Sequence, residues 1–229
     1  MKKSLLVILV FVVSIHLVNA QDDRSDRIGV GLGPATMYGD NTGITRKFKF
    51  KVLPALTVDY NKKLHTFFDV RGSVGWQMVN SGDFYEERTI AKIAKSNLPH
   101  GFKGNAFYAD IMPVYHINPN QSGYLPAKYK VYAGIGLGVA HVTRTDRFLS
   151  LVNDELVNPR SAKGTNTSVY VPFRLGVSTD YKEEWEIAME PIMLVSFFGE
   201  LDGNDQQQKV IKPDVLFQLQ FFVRRKVDN

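Results

Sequence analysis

Residues 47–60 read Lys-Phe-Lys-Phe-Lys-Val-Leu-Pro-Ala-Leu-Thr-Val-Asp-Tyr, with Phe48, Phe50, Val52, Pro54, Leu56, Val58 and Tyr60 on one parity. Successive side chains of a strand point to opposite faces, so such a segment has one wholly apolar face. Its length suits a tilted strand crossing a bilayer with its flanks. The same alternation predicts strands at about 27–38, 47–60, 64–79, 106–117, 129–142, 169–181, 185–198 and 214–226. A short helix is expected around Glu86 to Lys95.

The two parities differ in size and charge. One carries Ile28, Val30, Leu32, Val74, Trp76, Phe107, Ile111, Leu175, Met189 and Phe221; the other carries Gly29, Gly31, Gly134, Gly138, Arg71, Asp110 and Glu186. An eight-stranded barrel has an interior only just filled by side chains. The bulky apolar set does not fit inside, so it faces outward, which lipid tolerates. The fold expected is therefore all-β: an eight-stranded antiparallel transmembrane β-barrel.

Connection lengths add an orientation. Short or moderate turns are expected at 61–63, 118–128 and 182–184, and long loops at 39–46, 80–105, 143–168 and 199–213. Outer-membrane barrels have short periplasmic turns and long external loops. That orientation puts Tyr60, Tyr115, Tyr129, Tyr181 and Trp185 at the periplasmic strand ends. Tyr38, Phe48, Phe50, Trp76, Phe107, Phe197 and Phe217 fall near the external ends, giving two aromatic girdles. Pro34, Pro54, Pro113, Pro172 and Pro191 lie inside these strands, and proline cannot donate to a ladder, so bulges are expected there.

Composition refines the compartment. Lys2 and Lys3, an apolar run from Leu5 to Val18, and Val18-Asn19-Ala20 read as a signal peptide over 1–20, leaving 21–229 as the barrel domain. The chain has no Cys, so neither a Cys-linked acyl anchor nor a disulfide is available. Net charge is +5 for the whole chain, and removing Lys2 and Lys3 with the signal peptide leaves +3, too weak to argue for nucleic acid. The expected location is the outer membrane of a Gram-negative bacterium.

Inward charges are the candidate functional set: Lys47, Lys49, Lys51, Asp59, Asp69, Arg71, Asp110, Arg174, Glu186, Glu190 and Arg224. Buried charges need partners, so the lumen is expected to be an ion-paired plug. A turn of Tyr181, Lys182 and Glu183 sets Arg174 opposite Glu190; moving the register by two would oppose Asp180 with Glu186, two like charges. A turn of Asn61 to Lys63 sets Asp59 opposite His65. Two lumen pairs follow, Arg174–Glu190 and Asp59–His65.

No phosphate loop, metal-spaced Cys/His set or nucleophile elbow is present. The weak candidates are a hydrolase set of His141, Ser168 and Glu155, and loop acids Asp146, Asp154, Glu155, Asp202 and Asp205 for divalent cations. Arg144, Arg147, Arg160 and Lys163 are candidates for lipid phosphates or sugars. The reading assigns no enzyme activity, catalytic residue, cofactor or metal, and no small-molecule substrate.

Tyr38-Gly39-Asp40-Asn41, Tyr132-Ala133-Gly134-Ile135-Gly136-Leu137-Gly138, Val171-Pro172-Phe173-Arg174-Leu175-Gly176-Val177, and Glu190 on a strand begun by Trp185 carry a resemblance. The chain resembles the small outer-membrane β-barrel domain family, nearest the PorG-like barrels of the type IX secretion system. The resemblance implies contact with a periplasmic ring of secretion proteins. The long 80–105 and 143–168 loops depart from that pattern. The expected role is a membrane scaffold or anchoring component, in contact with outer-membrane lipids. A surface-exposed binding barrel acting through its loops, and a lipid-modifying enzyme, are the alternatives.

Overall fold

In a computed structural model, residues 25–42, 44, 47–119, 127–152, 155–182, 184–204 and 211–227 are described. The signal-peptide segment 1–20, Asp154, Glu183 and Asp205 lie outside them, as does the side chain of Glu155.

The strands are β1 (Asp26–Tyr38), β2 (Leu53–His65), β3 (Phe68–Asn80), β4 (Gly101–His116), β5 (Lys130–Ile135), β6 (Leu137–Val152), β7 (Glu155–Tyr181), β8 (Trp185–Ser196) and β9 (Val215–Val227). Helix α1 (Glu87–Lys95) lies between β3 and β4. Neighbouring strands pair antiparallel, and β1 pairs with both β2 and β9. β5 and β6 follow one another along a single wall position, each pairing with β4 and β7. The sheet therefore closes as a ring of eight walls. Closure removes both sheet edges.

Side-chain alternation follows the predicted parity. Val30, Leu32, Val74, Ile111, Leu137 and Leu175 are exposed, while Gly29, Gly31, Asp59, Arg71, Asp110 and Glu190 are buried. On β7 the outward residues over 169–177 are all apolar. That stretch runs about 27 Å along the strand, or roughly 21 Å along the barrel axis at a tilt near 40°.

The prolines do not shift the register. Pro34 faces Pro54, Val70 faces Pro113, and Pro172 faces Leu194. The expected bulges there are absent; the two register shifts fall at Lys63/His65 and Phe148/Ser150, near strand ends. Pairing instead lapses locally: β1 and β9 skip Gly33 and Pro34, and β7 and β8 resume at Val177–Met189 after Arg174–Ile192. A missed rung absorbs the absent N–H without changing which face a residue occupies.

Two expected boundaries move. Segment 47–52 is not part of β2: Phe48 has φ 54°, and Ile44 bridges Lys49 in a tight reversal. Lys47, Lys49 and Lys51 are exposed there, not in the lumen, and Phe48 and Phe50 belong to no strand end. Within 143–168, residues 143–152 and 155–168 are strand, not loop. Thr143 faces Thr165 and Thr145 faces Lys163, so β6 and β7 run on as a hairpin beyond the apolar zone. β-branched threonines favour that extension, but polar residues on both faces hide it from a hydrophobic pattern.

Candidate functional site

The lumen is filled in layers, and tyrosines build it. Tyr108 lies opposite Gly75, Tyr132 opposite Gly176, and Tyr170 opposite Gly138. In each case a Cβ on the glycine would collide with the tyrosine ring. The missing side chain lets the ring lie flat on the wall and carries its hydroxyl toward the centre. Tyr132 donates to Glu190 at 2.5 Å and accepts from Arg224 at 2.8 Å. Tyr170 donates to Asp110 at 2.8 Å. Tyr108 sits 2.7 Å from Thr57 Oγ1 and donates to Gln218 at 3.0 Å.

The central ion network crosses the barrel. Arg71 on β3 donates to both Glu190 oxygens on β8, at 2.9 and 3.0 Å. Arg224 holds Asp59 at 2.7 Å and Glu186 at 3.2 Å, and also bonds Glu190. Arg27 bridges Glu186 at 2.7 Å and Asp69, and His116 Nε2 lies 2.7 Å from that same Asp69. Arg174 bonds Asp110 at 2.9 Å. These side chains are buried, and the multiple partners offset the cost of removing charge from water. Toward the other end Met37, Val79, Phe102, Leu194, Leu201 and Leu216 close the bore with apolar side chains. Among the described residues, charged side chains and this apolar set together fill the bore.

Of the two predicted pairs, one forms and one does not. Arg174 and Glu190 lie on the inner face of adjacent strands as an ion pair at 3.9 Å, but not directly opposed as expected: Arg174 faces Ile192 in register. The last rung of the hairpin is Tyr181 with Trp185, and Asp180 faces Glu186 directly. That is the register expected to be disfavoured. It is tolerated because Arg27 and Arg224 neutralise Glu186, and Lys130 neutralises Asp180 at 2.6 Å. Partners on the flanking strands, with Arg224 directly opposite Glu186 on β9 and Lys130 on β5 beside β7, outweigh the neighbour across one hairpin.

Asp59 does not pair with His65. Both lie on β2, which runs through the expected turn to a reversal at Thr66 and Phe67. Asp59 faces Ser73 and is held by Arg224; His65 lies at the turn, stacked on Phe67. Arg27, absent from the predicted set, shares the parity of Gly29 and Gly31, which was the available signal.

The other candidates separate. His141 points outward and bonds Thr167 at 2.8 Å, whereas Ser168 points inward and bonds Ser196 at 2.8 Å. Opposite faces of one sheet cannot form one hydrolase site. Asp202 accepts from the backbone of Asn41 and Asn204, and Asp146 accepts from Arg144. Asp202 ties the connection after β1 to the one after β8, Asp146 holds Arg144 on its own strand, and among the described residues no group of three His, Asp or Glu could hold a metal. Among the lipid candidates, Arg147 pairs with Asp83, Arg160 lies over Phe148, and Lys163 is exposed on β7.

The ring, the filled lumen and the outward apolar zone define a small β-barrel of outer-membrane type. The structure of Neisserial surface protein A has the same fold, with TM-score 0.53 at 9% identity over 88% of this chain and 97% of that one. Ail of Yersinia pestis matches at TM-score 0.43 and 12% identity, over 88% of this chain and 99% of Ail. OprG of Pseudomonas aeruginosa matches at TM-score 0.43 and 9% identity, over 90% of this chain and 98% of OprG. No family model and no curated protein matches the chain.

Proposed function

We propose that this protein is a barrel of the Gram-negative outer membrane, delivered by cleavage of residues 1–20, and that it acts as a membrane scaffold or anchoring component. The observation that carries the reading is the outward band. Val30, Val74, Ile111, Leu137 and Phe221 are each more than half or about half exposed, and similar residues continue around the ring. Soluble proteins rarely expose contiguous apolar patches beyond a few hundred Å². The plugged lumen supports a role carried by surfaces, not by conduction. The reading assigns the chain no reaction and no cofactor.

The finer role follows from the PorG-like resemblance. A secretion-system component would meet periplasmic proteins through the turn at 66–67 and the ends of β4 and β5 and of β7 and β8 on the same side. A second reading, binding at the external face, is favoured by the β6–β7 hairpin and the loops tied by Asp202 and Arg144. Crosslinking in intact cells, followed by identification of neighbours, tests the choice. Periplasmic neighbours support the scaffold; external ligands alone support the binding barrel; recovery of the protein as a soluble monomer contradicts both.

A further inference from the structure

Three walls continue outward past the apolar band with a changed outer face. Phe107 on β4 faces His141 on β6, which faces Thr167 on β7. The next outward rung is Asn105, Thr143 and Thr165, and the one beyond it is Lys103, Thr145 and Lys163. A shallow groove of about 520 Å³ runs over these last two rungs, with Met78 at its side and Gly104 and Gly164 in its lining. Trp76 Nε1 donates to Asn105 Oδ1 at 3.0 Å, which ties the aromatic level to the polar one.

Position and charge together limit what fits. The lysines flank Thr145, so their backbones are two strand spacings apart, about 10 Å. Two flexible four-carbon arms at that spacing can each meet a different phosphate of one wide headgroup. The rung of Lys103 lies four residues beyond Phe107, about 13 Å along the strand and roughly 10 Å along the barrel axis. That is headgroup depth, just outside the hydrocarbon. The nearby cations Arg144 and Arg147 are paired with Asp146 and Asp83. Neither Lys103 nor Lys163 has a carboxylate within ion-pair distance among the described residues.

We propose that this face binds the phosphates of a phosphorylated saccharolipid of the outer leaflet, whose acyl chains lie on the apolar band below. The lysines take the phosphates, and the threonine hydroxyls and Asn105 face the sugar. Two separated cations over a polar groove fit a wide phosphorylated sugar headgroup better than a single phosphodiester. The proposal rests on the membrane-barrel reading.

The test is native mass spectrometry of the purified protein released from mild detergent. It is presented with bisphosphorylated lipid A, with dephosphorylated lipid A and with phosphatidylglycerol. Retention of the bisphosphorylated form about tenfold above the other two is expected, since each surface lysine contributes several-fold to anionic-lipid attraction. K103E/K163E, and the milder K103Q/K163Q, should lose that preference, while K182E at the opposite end should keep it. Equal retention of phosphatidylglycerol, or an unchanged preference in both double variants, overturns the site. Heat-modifiable migration of the same sample separates the two claims: a sample that forms no heat-modifiable barrel overturns the membrane reading, and the site with it.

Discussion

The carboxylate of Glu190 on β8 receives both its 2.9 and 3.0 Å hydrogen bonds from a single nitrogen of Arg71, which reaches across the lumen from β3. The two residues are far apart in sequence and sit on walls that do not touch. Arg224 and Tyr132 bond the same carboxylate. Glu190→Ala therefore leaves two guanidinium groups facing each other without their shared counter-charge. It should cost about 3–5 kcal/mol, whereas Arg71→Met combined with Glu190→Leu should cost less. Urea unfolding in lipid vesicles measures both. A double variant less stable than the single one would contradict the pairing.

Gly176 is the floor beneath the Tyr132 ring. Gly176→Val should displace that ring and pull its hydroxyl from Glu190 and Arg224. Overpacking of a filled interior typically costs about 1–3 kcal/mol, and here the loss of central hydrogen bonds adds to it. The folded fraction, read as heat-modifiable migration, should fall well below that of Gly72→Val, where a Cβ meets nothing within 4 Å.

The plug predicts an electrical result. Planar bilayers containing the pure protein should show no stable large conductance, because paired charges and the apolar end fill the bore. Reproducible porin-like steps would mean that the network opens.

His100, in the connection before β4, supplies a pH dependence. Burial, and secondarily the charge of Arg147, hold its imidazole pKa below the ordinary value, against a smaller opposing pull from Asp83. The folded state thus prefers neutral His100. Its contribution is fully present above the unfolded pKa of about 6.5 and is lost as pH falls through that value toward the folded one. Amide exchange in the 81–100 connection should be faster at pH 5 than pH-corrected rates at pH 8 imply. His100→Asn should flatten the difference.

Parity was readable from sequence because size and charge segregate so strongly: Gly29 against Val30, Asp110 against Ile111, Glu186 against Ile187. It survived five mid-strand prolines because skipped rungs, not inserted residues, accommodate them. Register was not readable. Hairpin logic weighed Asp180 against Glu186 alone, while Arg27 from β1, Lys130 from β5 and Arg224 from β9 decide their energies. Asp59–His65 failed for a similar reason: Lys62 and Lys63 look like turn residues, but Lys63 N–H is tied to Asp26 at 2.9 Å and the strand continues. The Lys47–Lys51 alternation mimicked a strand in a segment that, among the described residues, has no ladder partner beyond one bridge.

In the proposed membrane setting the outward apolar band lies in lipid and the chain's two tryptophans fall at opposite rims. Trp76 sits toward the end of β3 and Trp185 at the start of β8. The most direct test is depth-dependent quenching by brominated lipids in vesicles, using Trp76→Phe and Trp185→Phe to isolate each indole. The account predicts that both are quenched, and more strongly by bromines near the headgroup than by bromines near the bilayer centre. Two tryptophans untouched by bromine at any depth would contradict it.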